Sequence, residues 1–159
     1  MAADIEFSLT GLDSLLAKLD SVKSDVQRKG GRAALRKAAQ VVAKKAKEGA
    51  AQLDDQETGR SIAKNIAIRW NNRLFKQTRD LGFRIGVLHG AVLKDGGNKA
   101  AKSPTPHWRL LEFGTSKMRA QPFMRNALAD SIAEVTSTFV SEYEKAIDKA
   151  ILKAGGGGS

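Results

Sequence analysis

Few side chains in this sequence are of the types that make and break bonds, and their spacing argues against such work. The two histidines, His89 and His107, stand apart: one follows an alternating apolar run, the other a long polar stretch. An imidazole base needs an orienting partner, and a metal site needs further ligands at helical spacing; neither histidine has a carboxylate three or four residues on. Asp54, Asp55 and Glu57 bring carboxylates together, but in a polar segment that reads as an exposed loop. Gly96-Gly97 is not followed by Gly-Lys-Ser/Thr opening a helix, so it is no phosphate loop. Cysteine is absent, which removes thiolate metal sites and disulfides. The expectation is a protein that is not an enzyme, with no catalytic residue, no metal and no cofactor.

Charge is the next candidate for chemistry. The 159 residues hold 27 Lys+Arg against 17 Asp+Glu, a formal charge of +10. Residues 1–50 carry ten basic and six acidic side chains, residues 51–106 ten and five, and residues 107–159 seven and six. The excess is therefore spread over the first two-thirds, with Lys44, Lys45 and Lys47 as its densest point on what reads as a solvated helix face. Such a charge attracts polyanions without identifying one. Aromatic stacking platforms are not evident: only Trp70 and Trp108, each beside an arginine, loosely fit one, and both suit a core or rim. A basic module that binds nucleic acid without reading its sequence is the alternative function. At 42 % hydrophobic residues the chain is too apolar for a disordered basic tail. No apolar run approaches the roughly 20 residues that span a bilayer, and Asp4 and Glu6 do not suit a signal peptide.

The elements follow from periodicity. Ile5, Phe7 and Leu9 alternate as a short strand, and Thr10 with Asp13 resembles a capping box. Leu12, Leu15, Leu16, Leu19, Val22 and Val26 then line a helix face, which resumes through Leu35, Ala38, Val42, Ala46 and Leu53. Gly30-Gly31 interrupts it, giving either two helices or one long helix kinked there. The alanines of the second stretch allow close approach of another element or another subunit. From Ser61 the pattern becomes strand-like, with Ile66, Ile68 and Trp70 alternating, a turn at Asn71-Asn72, and a second run of Leu81, Phe83, Ile85 and Val87. These two runs pair as an antiparallel hairpin with one buried side. Residues 90–106 form a long loop, expected to gain order on assembly and bearing Lys94, Lys99 and Lys102. Pro122 opens a C-terminal helix at its first position, with a core stripe of Leu128, Ile132, Val135, Phe139, Tyr143 and Ala146 ending before Gly155. The fold class is α+β: a long N-terminal helix, unbroken or broken at Gly30-Gly31, and a C-terminal helix packed on a small antiparallel sheet with a long flexible loop. One domain is expected over 1–154, with 155–159 a linker-like Gly-Ser tail.

The most specific stretch runs from His107 to Leu128. It reads as a compact apolar segment (Trp108 to Phe113), a glycine turn (Gly114-Thr115-Ser116), a basic connection (Lys117, Met118, Arg119) and a proline-started helix with Phe123 packing under the turn. This stretch resembles the neck, or tail-completion, family of long-tailed bacteriophages. Glu112-Phe113-Gly114-Thr115, Ser116-Lys117-Met118 and Ala120-Gln121-Pro122-Phe123-Met124-Arg125 match its hallmark in order and spacing, with Asn126 where a proline is usual. Thr58-Gly59-Arg60-Ser61-Ile62 is similar to a second element of that family, shortened by two residues, and Phe83-Arg84-Ile85-Gly86-Val87 to its Gly-Val strand. Gly11-Leu12 and the leucine-striped helix also fit.

The resemblance implies a structural virion protein at the head–tail junction, present in the host cytoplasm during assembly. It implies a sixfold or twelvefold homo-oligomeric ring joining the head-closure or adaptor complex to the tail terminator, with genomic DNA passing non-specifically through the lumen and no membrane partner. Glu112, Phe113, Gly114, Thr115, Ser116, Lys117, Met118, Pro122, Phe123 and Arg125 are then the subunit-interface candidates, with Glu112 paired to Arg109 or Arg119. Lys94, Lys99 and Lys102 are the candidates for lumen or partner contact.

Overall fold

The structure, a computed structural model, describes residues 12–20, 22–54, 61–88 and 105–156. Its elements are α1 (Leu12–Asp20), α2 (Ser24–Ala51), α3 (Ile62–Asn65), β1 (Ile66–Trp70), α4 (Asn72–Thr78), β2 (Phe83–Val87), α5 (Trp108–Phe113) and α6 (Phe123–Gly155). The α+β class holds: two long helices accompany a two-stranded antiparallel sheet. The expected strand at residues 5–9 and the cap at Thr10 lie outside the described residues, as do His89, Asp55, Glu57, Lys94, Lys99 and Lys102.

The main contact is α2 against α6, and it runs antiparallel. Gly30 near the start of α2 meets Tyr143 and Ala146 late in α6, while Gly49 near its end meets Phe123 at the start of α6. The buried face of α2 is almost wholly small: Gly30, Gly31, Ala34, Ala38, Ala39, Val42, Ala43, Ala46 and Ala50. Small side chains let two helix backbones approach closely, so dispersion contacts accumulate along the whole length. A Cβ at Gly30 would stand 3.2 Å from Ala146 Cβ and 3.3 Å from the Tyr143 ring. The glycines are thus contact points within a single helix, which decides between the two alternatives in favour of one helix.

The real break falls between Asp20 and Ser24. The Gln27 amide donates to the Leu19 and Val22 carbonyls at 2.6 and 2.9 Å, bridging the end of α1 and the connection to the first turn of α2. Leu15 anchors α1 in the core, whereas Leu16, expected on the same face, is largely exposed. Lys18 reaches α6, 2.8 Å from Glu144 and 3.1 Å from Asp148; hydrogen bonds to these carboxylates, Glu144 first, hold its ammonium above the ordinary lysine value.

The buried set of α6 is Phe123, Ala127, Ser131, Val140 and Ile147. Leu128, expected in the stripe, is 55 % exposed. The reason lies in α2: its alanine face leaves no depth for a leucine, so the small neighbours Ala127 and Ser131 turn inward. Ser131 satisfies its buried hydroxyl on the Ala127 carbonyl of its own helix. The helix also runs through Gly155 rather than stopping before it.

The hairpin pairs Ile66 with Val87, Ile68 with Ile85 and Trp70 with Phe83, as the alternation predicts. Two details differ. Residues 62–65 form a helical turn before the strand begins, and Asn71-Asn72 starts the short helix α4 rather than a tight turn. Asn71 is a good N-cap: its side-chain oxygen accepts from Leu74 N at 3.2 Å. The helix is held because Phe75 stacks on Trp70 at 5.6 Å between ring centroids, beside Phe83 at 5.2 Å. Arg32 of α2 covers the other side of Trp70 at 4.2 Å, so the indole is a packed ring and no stacking platform.

Two outcomes follow. Gly30→Leu should overpack the α2–α6 contact and cost about 1–3 kcal/mol in urea unfolding. Tyr143 donates to the Gln27 carbonyl at 2.9 Å, and burial raises its hydroxyl above the usual tyrosine value of about 10. Its contribution is therefore full below that ordinary value and lost as pH rises through the raised one. Tyr143→Phe should lower stability at neutral pH by about 1 kcal/mol and flatten the decline measured in an alkaline titration.

Candidate functional site

Residues 107–126 form one helix–turn–helix connection. Helix α5 closes on Gly114, whose N–H donates to the Leu110 carbonyl at 2.8 Å. Gly114 has φ +73° and ψ −178°, a region that only glycine occupies comfortably. A side chain there would also collide with backbone: its Cβ would lie 2.7 Å from Ala120 N and 2.9 Å from Met118 O. Thr115 ties the turn. Its hydroxyl accepts from Lys117 N and Met118 N at 3.2 and 3.0 Å, while its own N–H donates to the Met118 carbonyl at 2.9 Å. Gln121 N then donates back to the Leu111 carbonyl, so both ends of the turn are pinned to α5.

Pro122 occupies the N-cap position of α6, one residue earlier than expected. A proline offers no side-chain acceptor, so the N–H groups of the second and third helical residues would be left open. Glu112 supplies what proline lacks. Its carboxylate, 2 % exposed, accepts from Met124 N at 2.9 Å and from Arg125 N at 3.1 Å. Negative charge at this end is also favoured by the helix dipole. Arg125 closes the arrangement with Nε on the same carboxylate at 3.1 Å, a terminal nitrogen on the Glu112 carbonyl at 2.6 Å, and its guanidinium 5.3 Å from the Phe113 ring. The partner of Glu112 is therefore Arg125 together with two backbone donors, and not Arg109 or Arg119. The buried carboxylate thus accepts three hydrogen bonds, all from the first turn of α6, and holds the two helices together.

A family model described as "Bacteriophage HK97-gp10, putative tail-component" matches residues 13–114, from the first turn of α1 to the glycine that ends α5. The chain belongs to this family of phage tail components. Comparison with curated proteins and with solved structures gives no match. As a tail component the protein is structural and virion-associated. Among the described residues no helix is long and apolar enough to cross a membrane, and no group of His, Asp and Glu could hold a metal ion.

Within this tail component the motif divides by direction. Glu112 and Phe123 point inward, the latter into a cluster with Ala43, Ala46, Ala50, Ile62, Ile66 and Ala127. Gly114 and Pro122 are half-buried parts of the turn, and Arg125 lies over it. Phe113 is 65 % exposed, and Met118, Ser116, Lys117 and Thr115 also face out. Leu110 joins Phe113 on the outer face of α5, one helical turn away and half exposed. Leu110 was not among the expected interface residues, although its i, i+3 spacing to Phe113 was a signal. Lys94, Lys99 and Lys102 fall outside the described residues.

One carboxylate of the Asp54 group also proves structural. Asp54 accepts from Ser61 Oγ at 2.7 Å and from Ile62 N at 2.7 Å, capping α3 from seven and eight residues away. Glu112→Ala should cost roughly 2–4 kcal/mol, since two helix N–H groups lose a charged acceptor. Arg125→Ala should cost under about 1.5 kcal/mol, because that side chain is largely solvated. Gly114→Ala should cost about 2 kcal/mol or more from strain and backbone collision. Thermal and urea unfolding of the three variants measure this order; equal losses at Glu112 and Arg125 would contradict it.

Proposed function

We propose that the protein is a head–tail junction component that assembles as a homo-oligomeric ring, sixfold or twelvefold. The ring connects the head-closure or adaptor complex to the tail terminator and passes genomic DNA through its lumen. The observation that carries this reading is the pair Leu110 and Phe113, large apolar side chains held outward on a helix whose C-terminal end is locked by Glu112, Gly114 and Arg125. Exposed apolar residues on a rigid mount mark a contact site, and rigidity keeps the ordering cost of association low. Met118, on the following turn, extends the same exposed character.

A ring requires a heterologous contact, one surface of a subunit meeting a different surface of the next. A shallow depression between α2 and β1, with Ala43, Ala51, Ala63 and Ile68 bordered by Gln40, Lys44, Lys47 and Glu48, lies well separated in sequence from α5 and is a suitable second surface. Native mass spectrometry of the purified protein should give a sixfold or twelvefold species. Leu110→Glu and Phe113→Glu should shift it to monomer without changing the circular dichroism spectrum. Monomer alone at high concentration, together with absence from purified virions, would sink the assignment.

A further inference from the structure

We propose that the open face of the β1–β2 hairpin is a cradle for the phosphate backbone of double-stranded DNA, gripped by Arg69 and Arg84 over a floor of Ala67 and Gly86. The pairing register sets these four residues on one side of the sheet: Ala67 opposes Gly86, and Arg69 opposes Arg84. The other side, with Ile66, Ile68, Ile85 and Val87, packs on the core. Two like charges directly opposed across strands destabilise a hairpin. Here nothing acidic offsets them, since among the described residues no carboxylate pairs with either arginine. Arg84 is oriented instead by a neutral group, the Asn71 side-chain oxygen at 2.9 Å. The guanidinium charges stay available to a ligand.

The floor is shaped for close approach. A Cβ at Gly86 would meet nothing within 4 Å, and Gly86 is not among the positive-φ residues, so neither packing nor backbone strain requires glycine there. Together with Ala67 it leaves a groove beside the opposed arginines, bordered also by Trp70, Ile85, Val87 and Leu88. The surrounding field has the same sign: residues 61–88 contain Lys64, Arg69, Arg73, Lys76, Arg79 and Arg84 against a single acid, Asp80. Arginine forks suit phosphate oxygens.

The composition of the face selects the class of polyanion. An acidic protein partner would be anchored by apolar side chains at the centre of the contact. The large exposed hydrophobics of the described residues lie elsewhere, on α1, on α5 and its turn, and on α6. Nor is a base-stacking surface offered, since Trp70 is enclosed by Arg32, Phe75 and Phe83. A charged, grooved and non-stacking face fits a duplex backbone bound without sequence preference. The surface is argued from the single subunit; only the source of the duplex, the phage genome, rests on the proposed junction role.

The test is fluorescence anisotropy of a short labelled duplex, titrated with the full chain over a series of salt concentrations. Arg69→Gln/Arg84→Gln should weaken binding by roughly tenfold or more and reduce the log–log salt slope by about two. Gly86→Val keeps every charge, adds a strand-compatible side chain, and should weaken binding by blocking the floor. Lys145→Gln/Lys149→Gln removes the same charge from α6 and should leave affinity within about twofold. Unchanged binding by the double arginine variant, or an equal loss in the α6 control, would overturn the cradle. Preference for polyglutamate over duplex would overturn it in favour of an acidic protein. Oligomeric state is read separately by native mass, so a monomer that still binds through Arg69 and Arg84 would end the ring reading and keep this one.

Discussion

The close antiparallel packing of α2 on α6 is the constraint on which the rest depends. Its residues are small because two backbones must nearly touch, and the helices are long because each small contact contributes little alone. Every other element is referred to this pair. Helix α1 docks on α6 through Lys18, α3 and the hairpin lie on α2, and the start of α6 fixes where α5 and its turn can sit. Phe123 joins the two ends of the scheme, packing against Gly49 while beginning the helix that Glu112 caps.

The second organising device is a carboxylate that caps a helix from a distance. Asp54 serves α3 and Glu112 serves α6, each accepting from two backbone N–H groups or more. Such a residue joins two elements at the point where hydrogen bonds are scarcest, so it fixes their mutual angle as well as stabilising one end. In a chain without metal clusters among its described residues, these buried or half-buried acids are explained by architecture. Side chains that look like candidates for proton transfer are turned to joining helices.

Surfaces available for partners are then those that this framework does not consume. Phe113 and Leu110 face out although the neighbouring Glu112 is sealed. Arg69 and Arg84 face out although the isoleucines beside them are packed on the core. In both cases a residue and its neighbour have opposite duties, because a helix or strand only a few residues long presents one side inward and one outward. The two surfaces differ in kind, one apolar and one cationic. The net charge of +10 thus has a place in the fold: much of it sits on the hairpin and α4, where among the described residues no carboxylate forms an ion pair with it.

Period-two alternation was enough to identify the paired strands, and the 3.6-residue repeat enough to locate both long helices, because those patterns follow directly from backbone geometry. The motif from Glu112 to Arg125 was legible as a unit, and with it the phage family. What the sequence could not decide were matters of mutual position. Gly30-Gly31 leaves one helix or two open until α6 is placed against it, and Leu128 reads as core until the shallow alanine face of α2 forces it out. Glu112 has several arginines within reach along the chain, and only the folded turn brings Arg125 and two backbone donors to it. Local periodicity is set by covalent geometry and so belongs to the sequence alone; the choice of partner belongs to the tertiary structure, because it depends on distances that exist only after α2 and α6 have met.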